Sequence, residues 1–278
     1  MKIAFIGGGN MARSLIGGMA NAGSDKPQII VSDPVTEVVQ TLVADFGVEG
    51  AADNQHAVNS SDIVVLAVKP QQMHTVVSAL KGSLDGKLLI SVAAGVRCTD
   101  IHSWAGSDTM ALVRCMPNTP ALLQCGATGL FASNSVSKAQ RTMAEQILSA
   151  AGAVAWVEDE AQLDAITALS GSGPAYFFLL MEAMTESAVT LGLPKELASQ
   201  FAIQTAVGAA RMASEGDIEP AQLRRNVTSP AGTTEAALNS FAGNEFNNIV
   251  KQAMQAANDR AVELGNDLSK VPGENKNG

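Results

Sequence analysis

The chain is 278 residues long, 46% apolar and 16% charged, enough for one large domain or two ordinary ones with buried cores. Eighteen Lys and Arg against twenty-seven Asp and Glu give a net charge of −9, which excludes the cationic surface a nucleic-acid partner requires. No apolar run approaches the roughly eighteen residues of a membrane span, and residues 1–6 meet three glycines too early to form an export signal, so a cytoplasmic protein is expected.

The first half alternates two textures. Compact Val/Ile/Leu runs at Ile3–Ile6, Ile29–Ser32, Ile63–Val68 and Leu88–Val92 suit a parallel sheet covered on both faces. Helical patterns lie between them at Asn10–Ala22, Val35–Phe46 and Gln71–Leu80. Further strands are expected at Met110–Cys115, Ala127–Ala132 and Ala153–Val157, with a helix over Ser137–Ala151. After about Glu160 the strand pattern stops. Residues 161–191 are helix formers interrupted only by Gly171-Ser172-Gly173-Pro174, and Lys195–Ser214, Thr233–Phe241 and Asn244–Leu264 carry helical spacing. The architecture expected is therefore α/β: a doubly wound dinucleotide-type domain over 1–160, then an all-α domain over 161–265. A polar, frayed tail is expected over 266–278. Ala-rich helices with no second sheet to cover them bury their faces on one another or on a second subunit, so a homo-oligomer is the default.

Gly7-Gly8-Gly9-Asn10-Met11-Ala12 follows the first strand and opens the first helix. Gly7, Gly9 and Ala12 fill the small positions of G-x-G-x-x-G/A: a tight turn, a close backbone approach to pyrophosphate, and close packing of helix on strand. The pyrophosphate would lie at the helix N-terminus, where free amides and the helix dipole favour an anion. At the head of a βαβ unit this pattern marks a Rossmann-type fold. Asp33 ends the second strand, twenty-one residues beyond Ala12. A carboxylate there accepts bonds from the adenosine ribose and repels a 2′-phosphate, yet Pro34 follows it and makes a turn or cap role equally open. Ligands of such sheets sit at the carboxyl ends of the strands. Those ends include Ile6, the segment Ala67-Val68-Lys69-Pro70, and Ala93-Ala94-Gly95, whose small side chains would let a nicotinamide ring lie against backbone.

Taken with Arg114-Cys115-Met116-Pro117-Asn118-Thr119-Pro120, Ser170–Tyr176 and Val227-Thr228-Ser229-Pro230-Ala231-Gly232-Thr233-Thr234, these motifs resemble the pyrroline-5-carboxylate reductase family over nearly the whole chain. The resemblance implies NAD(P)H-dependent reduction of pyrroline-5-carboxylate to L-proline. By matching position it implies coenzyme contacts at Gly7, Gly9, Asn10, Met11, Asn54, Lys69, Pro70 and Asn226; Ile6, Gly8, Asp33, Ala67, Val68, Ala94 and Gly95 complete the coenzyme-binding set. It places the substrate carboxylate on Ser229 and the backbone of Thr233 and Thr234, with the Thr234 hydroxyl, the catalytic candidate, facing the ring nitrogen. It also implies a dimer of interlocked helical domains, assembled into a ring of dimers. Two departures stand out: Ala231-Gly232 where Gly-Gly is usual, and Asp33 where Ser or Thr goes with NADPH, which shifts the expectation toward NADH.

The residues themselves fit imine reduction. Ser229–Thr234 precedes a helix and can present amides and hydroxyls to a small anion, although an N-cap at Ser229 or Thr233 is the plainer reading. A ketone reduced by hydride needs a proton donor, usually His or Lys, whereas an imine can arrive already protonated. Of the three histidines, His56, His74 and His102, none falls after Glu160. A β-hydroxyacid dehydrogenase shares the two-domain plan, but its catalytic Lys position holds Phe177 and its Asn position Met181, in a run, Phe177–Leu180, that reads as a buried helix face. A non-catalytic NAD(P) sensor would need no second anion site. Glu160 is a further substrate-binding candidate, placed with Asp164 at the domain junction, where acidic residues also suit a helix start. Cys98, Cys115 and Cys125 lack any CxxC or metal-ligand spacing and read as reduced, buried thiols, and no metal site is expected.

Overall fold

The computed structural model describes residues 1–20 and 26–270. They divide into two compact units: Met1–Ser172 with Ala257–Gly278, and Gly173–Ala256.

The first unit is built on eight strands: β1 (Lys2–Ile6), β2 (Gln28–Ser32), β3 (Glu49–Gly50), β4 (Ile63–Leu66), β5 (Leu88–Ser91), β6 (Ala111–Met116), β7 (Gly126–Ala132) and β8 (Gly152–Trp156). Their spatial order is β3-β2-β1-β4-β5-β6-β7-β8, parallel throughout except at the β6–β7 pair. The order reverses between β1 and β4, and that is where a doubly wound sheet opens its ligand crevice. The apolar runs are continuous because each strand is covered twice. Ile3, Phe5, Val31 and Val65 face one core with Leu15, Leu42 and Ile147, from helices α1 (Asn10–Ala20), α2 (Thr36–Phe46) and α6 (Lys138–Ser149). Ala4, Ile6, Ile30 and Leu66 face the other with Val58, Met73 and Ile101, from α3 (Asn54–Asn59), α4 (Met73–Ala79) and α5 (Cys98–Ala105). The doubly wound sheet expected from the sequence is thus present, with β3, α3 and α5 in addition. The last two residues expected in α1, 21 and 22, lie outside the described residues.

The limits of the compact units differ in two places from the domain limits expected from the sequence. The first unit runs past 160 to Ser172, because α7 (Gln162–Ile166) and the π turn Thr167–Gly171 pack on the sheet. Leu163 and Ala168 are buried there, and the Asn118 side-chain amide donates to Ser170 O at 3.0 Å. Residues 266–270 are not a frayed tail. The last helix, α12, runs over Phe246–Leu268, and its end belongs to the first unit. A Cβ on Gly265 would lie 3.1 Å from Gly95 O, so the glycine lets the helix approach the turn after β5. Leu268 packs into the second core, Arg97 Nη2 donates to Asn266 Oδ1 (2.6 Å) and Ser269 Oγ to Asp100 Oδ2 (2.8 Å). Residues 271–278 lie outside the described residues.

The second unit is helical: α8 (Gly173–Thr190), α9 (Lys195–Glu215), α10 (Pro220–Asn226), α11 (Thr233–Gly243) and the first half of α12. The buried face expected at Phe177–Leu180 is corrected. These four successive residues are 63%, 64%, 65% and 41% exposed. Four residues sweep about 300° around a helix, so no single neighbour in the same chain covers them. Phe201, Met212 and Ile249 are exposed as well. An apolar surface of this kind belongs to a helical unit that is covered by a partner.

Close packing in the first unit is tested at Gly18, where a Cβ would fall 2.0 Å from Ala150 O, a backbone atom that cannot swing away. Gly18→Ala is expected to cost about 2 kcal/mol, or roughly 5 °C in Tm, in thermal unfolding.

Candidate functional site

At the carboxyl ends of β1 and β4 the glycine turn is pressed against backbone. Gly7 has φ +98°, and a Cβ there would stand 2.7 Å from Ala67 O. Its amide donates to Ser32 O (2.8 Å), and the Ala67 amide donates to Ile6 O (2.8 Å). Gly8 is as constrained as Gly7, since its Cβ would meet Val38 Cγ1 at 2.6 Å. Gly9 is the opposite case: nothing lies within 4 Å of a Cβ built there. That open approach lies directly before α1, whose first helical bond is Arg13 N–H to Gly9 O. The amides of Asn10, Met11 and Ala12 therefore have no intrahelical acceptor, and the turn offers an unobstructed cradle for an anion. A pyrophosphate fits the residues present.

The neighbouring strand ends carry the other residues expected in the coenzyme set. Asp33 accepts from the Gly8 amide with Oδ2 (2.8 Å) and from the Val35 amide with Oδ1 (2.9 Å). The Ser32 hydroxyl donates to Asn54 Oδ1 (2.7 Å), which draws the start of α3 to the end of β2. Asp53 caps that short helix through the His56 amide (2.7 Å). Lys69 is exposed at the end of β4, just before a 3-10 turn that begins at Pro70. Ala94 is exposed after β5, while Gly95, at φ +77°, has its small size used by the end of α12. Asn226 belongs to the second unit, where it closes α10 and accepts from Gln222 Nε2 (2.7 Å).

Glu160 is held in a network that the sequence did not reveal. Its Oε1 accepts from Arg114 Nη1 (2.9 Å) and from the Cys98 amide (2.8 Å), so the carboxylate anchors the start of α5 to β6 rather than standing open to a ligand. Arg114, only 5% exposed at its side chain, also reaches Asp164 at 3.8 Å. Burial raises the Asp164 carboxyl above the usual range, opposed by the Arg114 charge. Burial pushes the Cys115 thiol up to about 12, and burial with the Glu160 charge pushes Cys98 further still. Two of the histidines do structural work: His102 Nε2 pairs with Met110 O at 3.0 Å, and His74 stands edge-on to Trp104.

In the second unit, Val227–Gly232 leads into α11. The N-cap is Gly232, and no side chain caps the helix, so neither Ser229 nor Thr233 plays the plain capping role. The first helical bond runs from Ala236 N–H to Gly232 O, which leaves the amides of Thr233, Thr234 and Glu235 without intrahelical acceptors. A Cβ on Gly232 would lie 2.5 Å from Ser229 Oγ, so that hydroxyl is folded against the helix start. Ala231 sits at φ +58°, where glycine is the easier residue, and its amide donates to Glu235 Oε2 at 2.8 Å. Three hydroxyls, of Ser229, Thr233 and Thr234, and three amides at one positive helix end are the donors that an anion would meet there. The roles of Glu235 and Arg114 had no signal in the sequence, because both arise from side chains that fold back onto distant or local backbone.

Among the described residues no helix is long and apolar enough to cross a membrane, and no group of three or more His, Cys, Asp or Glu could hold a metal ion. Residues 2–95 match the family model described as NADP oxidoreductase coenzyme F420-dependent, and residues 160–264 that described as pyrroline-5-carboxylate reductase dimerisation. The chain is 52% identical over 268 residues to a pyrroline-5-carboxylate reductase of Pseudomonas aeruginosa, with 96% of this chain and 98% of that protein covered. It superposes on the structure of a pyrroline-5-carboxylate reductase from Coxiella burnetii with a TM-score of 0.91 at 45% identity, over 94% and 97% of the two chains. A Plasmodium falciparum pyrroline carboxylate reductase with NADP bound gives 0.82 at 29% identity, over 95% and 98%.

The thiols offer a check on this geometry. Cys125 is exposed, whereas Cys98 and Cys115 are buried. At neutral pH one equivalent per chain is expected to react with a chromogenic disulfide reagent, and the other two only after denaturation.

Proposed function

The chain belongs to the pyrroline-5-carboxylate reductases, and from that membership we infer that it reduces the C=N bond of pyrroline-5-carboxylate with NAD(P)H to give L-proline. The observation that carries the reading furthest is the uncapped start of α11 beside Ser229, in a helical unit that contains no histidine.

The glycine turn and the amides of Asn10 and Met11 would hold the coenzyme pyrophosphate, with Asp33, Asn54, Lys69, Pro70 and Ala94 around the rest of the molecule. Ile6, Ala67, Val68 and Gly95 contribute backbone. When bound, NAD(P)H supplies the hydride that the imine carbon takes up. Ser229 and the amides of Thr233 and Thr234 receive the substrate carboxylate, a single negative charge at the positive end of an eleven-residue helix. The Thr234 hydroxyl then faces the ring nitrogen. A protonated imine becomes a neutral amine on taking up hydride, so no side chain must deliver a proton in that step. Positioning and one hydroxyl suffice, which suits a unit without histidine.

The helical unit self-associates, as its match to the family's dimerisation model and its exposed apolar faces require. A ring of dimers in the cytoplasm is the finer arrangement proposed. The extent of the apolar surface supports the first part, and three cysteines without a disulfide the second. Analytical ultracentrifugation is expected to give an even multiple of the chain mass larger than two; a monomer or a lone dimer overturns the ring.

The reaction itself is tested by following NAD(P)H oxidation with pyrroline-5-carboxylate. Background rates with both coenzymes, in protein that still binds them, would remove the reductase reading. Thr234→Ala is expected to lower kcat about tenfold, the worth of one hydrogen bond, with coenzyme affinity unchanged. Ser229→Ala should instead act chiefly on the KM for substrate.

A further inference from the structure

Between the glycine turn and the start of α2 lies a groove of about 320 Å³, and its walls carry charge unevenly. Gly8, Gly9 and Asn10 form one side; Arg13, Glu37 and Val38 are among those that close it. Asp33 stands against it, its Cβ 3.6 Å from where a Gly8 side chain would begin. We propose that Asp33 and Glu37 together make this chain select NADH over NADPH, Asp33 by accepting the adenosine ribose hydroxyls and both carboxylates by repelling a 2′-phosphate. The proposal rests on the reading of the chain as an NAD(P)H-dependent reductase.

Three observations point this way. Asp33 is more than the turn residue that its following proline suggests. The bond to the Val35 amide (2.9 Å) is local, but the bond from Gly8 (2.8 Å) spans twenty-five residues and ties the end of β2 to the glycine turn. Both carboxylate oxygens are held by amides, and each keeps a further lone-pair site, so two acceptors are fixed in place before a ribose arrives. Glu37, in the first turn of α2, adds a second negative charge to the groove wall and pairs with no cation among the described residues.

The third observation is the state of the cation. Arg13 is the one basic residue lining the groove, and its Nη2 is 2.5 Å from Asp45 Oδ2. The same guanidinium lies over the Phe46 ring, 5.0 Å from its centroid. Charge and planar face are both engaged on α2, away from a ligand. An incoming 2′-phosphate brings a charge of about −1.5 to −2. It would face two carboxylates that pair with no cation among the described residues and a guanidinium already shared with Asp45, whereas a ribose hydroxyl meets an acceptor in position.

The test reads coenzyme binding directly, by titrating NADH and NADPH into the full chain and following coenzyme fluorescence, beside initial rates with pyrroline-5-carboxylate. The wild-type protein is expected to bind NADH at least about tenfold more tightly than NADPH. Glu37→Gln should narrow that ratio about threefold through NADPH alone, since Glu37 is exposed and its charge is screened by water. Asp33→Asn should weaken NADH, improve NADPH and abolish the preference. Equal or tighter binding of NADPH by the wild type overturns the proposal. So do variants that shift both coenzymes equally, the mark of a carboxylate that only braces the loop. Should Asp33→Asn fail to fold, Glu37→Gln decides. The expected binding ratio without any imine turnover supports this selection and removes the reductase reading instead.

Discussion

At Gly7 the backbone of one strand end lies against the backbone of another, with room for no side chain between them. The would-be Cβ is 2.7 Å from Ala67 O, and φ is +98°. This contact occurs where the sheet order reverses, between β1 and β4, so the turn closes the floor of the crevice that the reversal opens. Gly8 then tucks beneath Val38, and Gly9 is left facing open space. Because the chain turns this sharply, α1 starts at once and points its free amides outward. The same turn brings the Gly8 amide to Asp33, which couples the glycine turn to the end of β2 through a single carboxylate.

The sheet was legible because it is covered on both faces. Strands such as Ile63–Leu66 are apolar at every position, and the two cores take alternate residues. Elements that depend on polar bonds were not. β3 is two exposed residues, Glu49 and Gly50, paired to β2. α3 has Asp53 as its cap, and α5 draws on Asp100 and on Glu160, sixty-two residues from Cys98. No periodicity announces a helix held that way. The antiparallel β6–β7 pair was also hidden, since direction follows from the short connection through Pro117 and Pro120. In the candidate site the glycine turn could be read from spacing, and Ser229–Thr234 from resemblance. The charge engagement of Arg13, Glu160 and Glu235 depended on partners that only folding supplies.

The distribution of polar groups separates two kinds of work. The first unit spends its buried charge and two histidines, His74 and His102, on architecture, with Arg114 and Glu160 tying β6 to the start of α5. The second presents apolar helices and a hydroxyl-lined helix start, with little capacity to move protons. An alcohol-forming reduction would strain such a surface, whereas a substrate that is already cationic at nitrogen needs mainly to be held. Ala231, at φ +58°, holds the loop in a conformation that glycine would adopt more easily, so the backbone before α11 is strained at that point.

The return of α12 to the first unit has a consequence for how the protein is made. Gly95 and the second core are finished by Gly265 and Leu268, residues near the end of the chain. During synthesis the coenzyme-binding sheet leaves the ribosome early, yet its turn after β5 stays uncovered until the whole helical segment has followed. A truncated product, however much of the sheet it contains, leaves Gly95 and the second core uncovered.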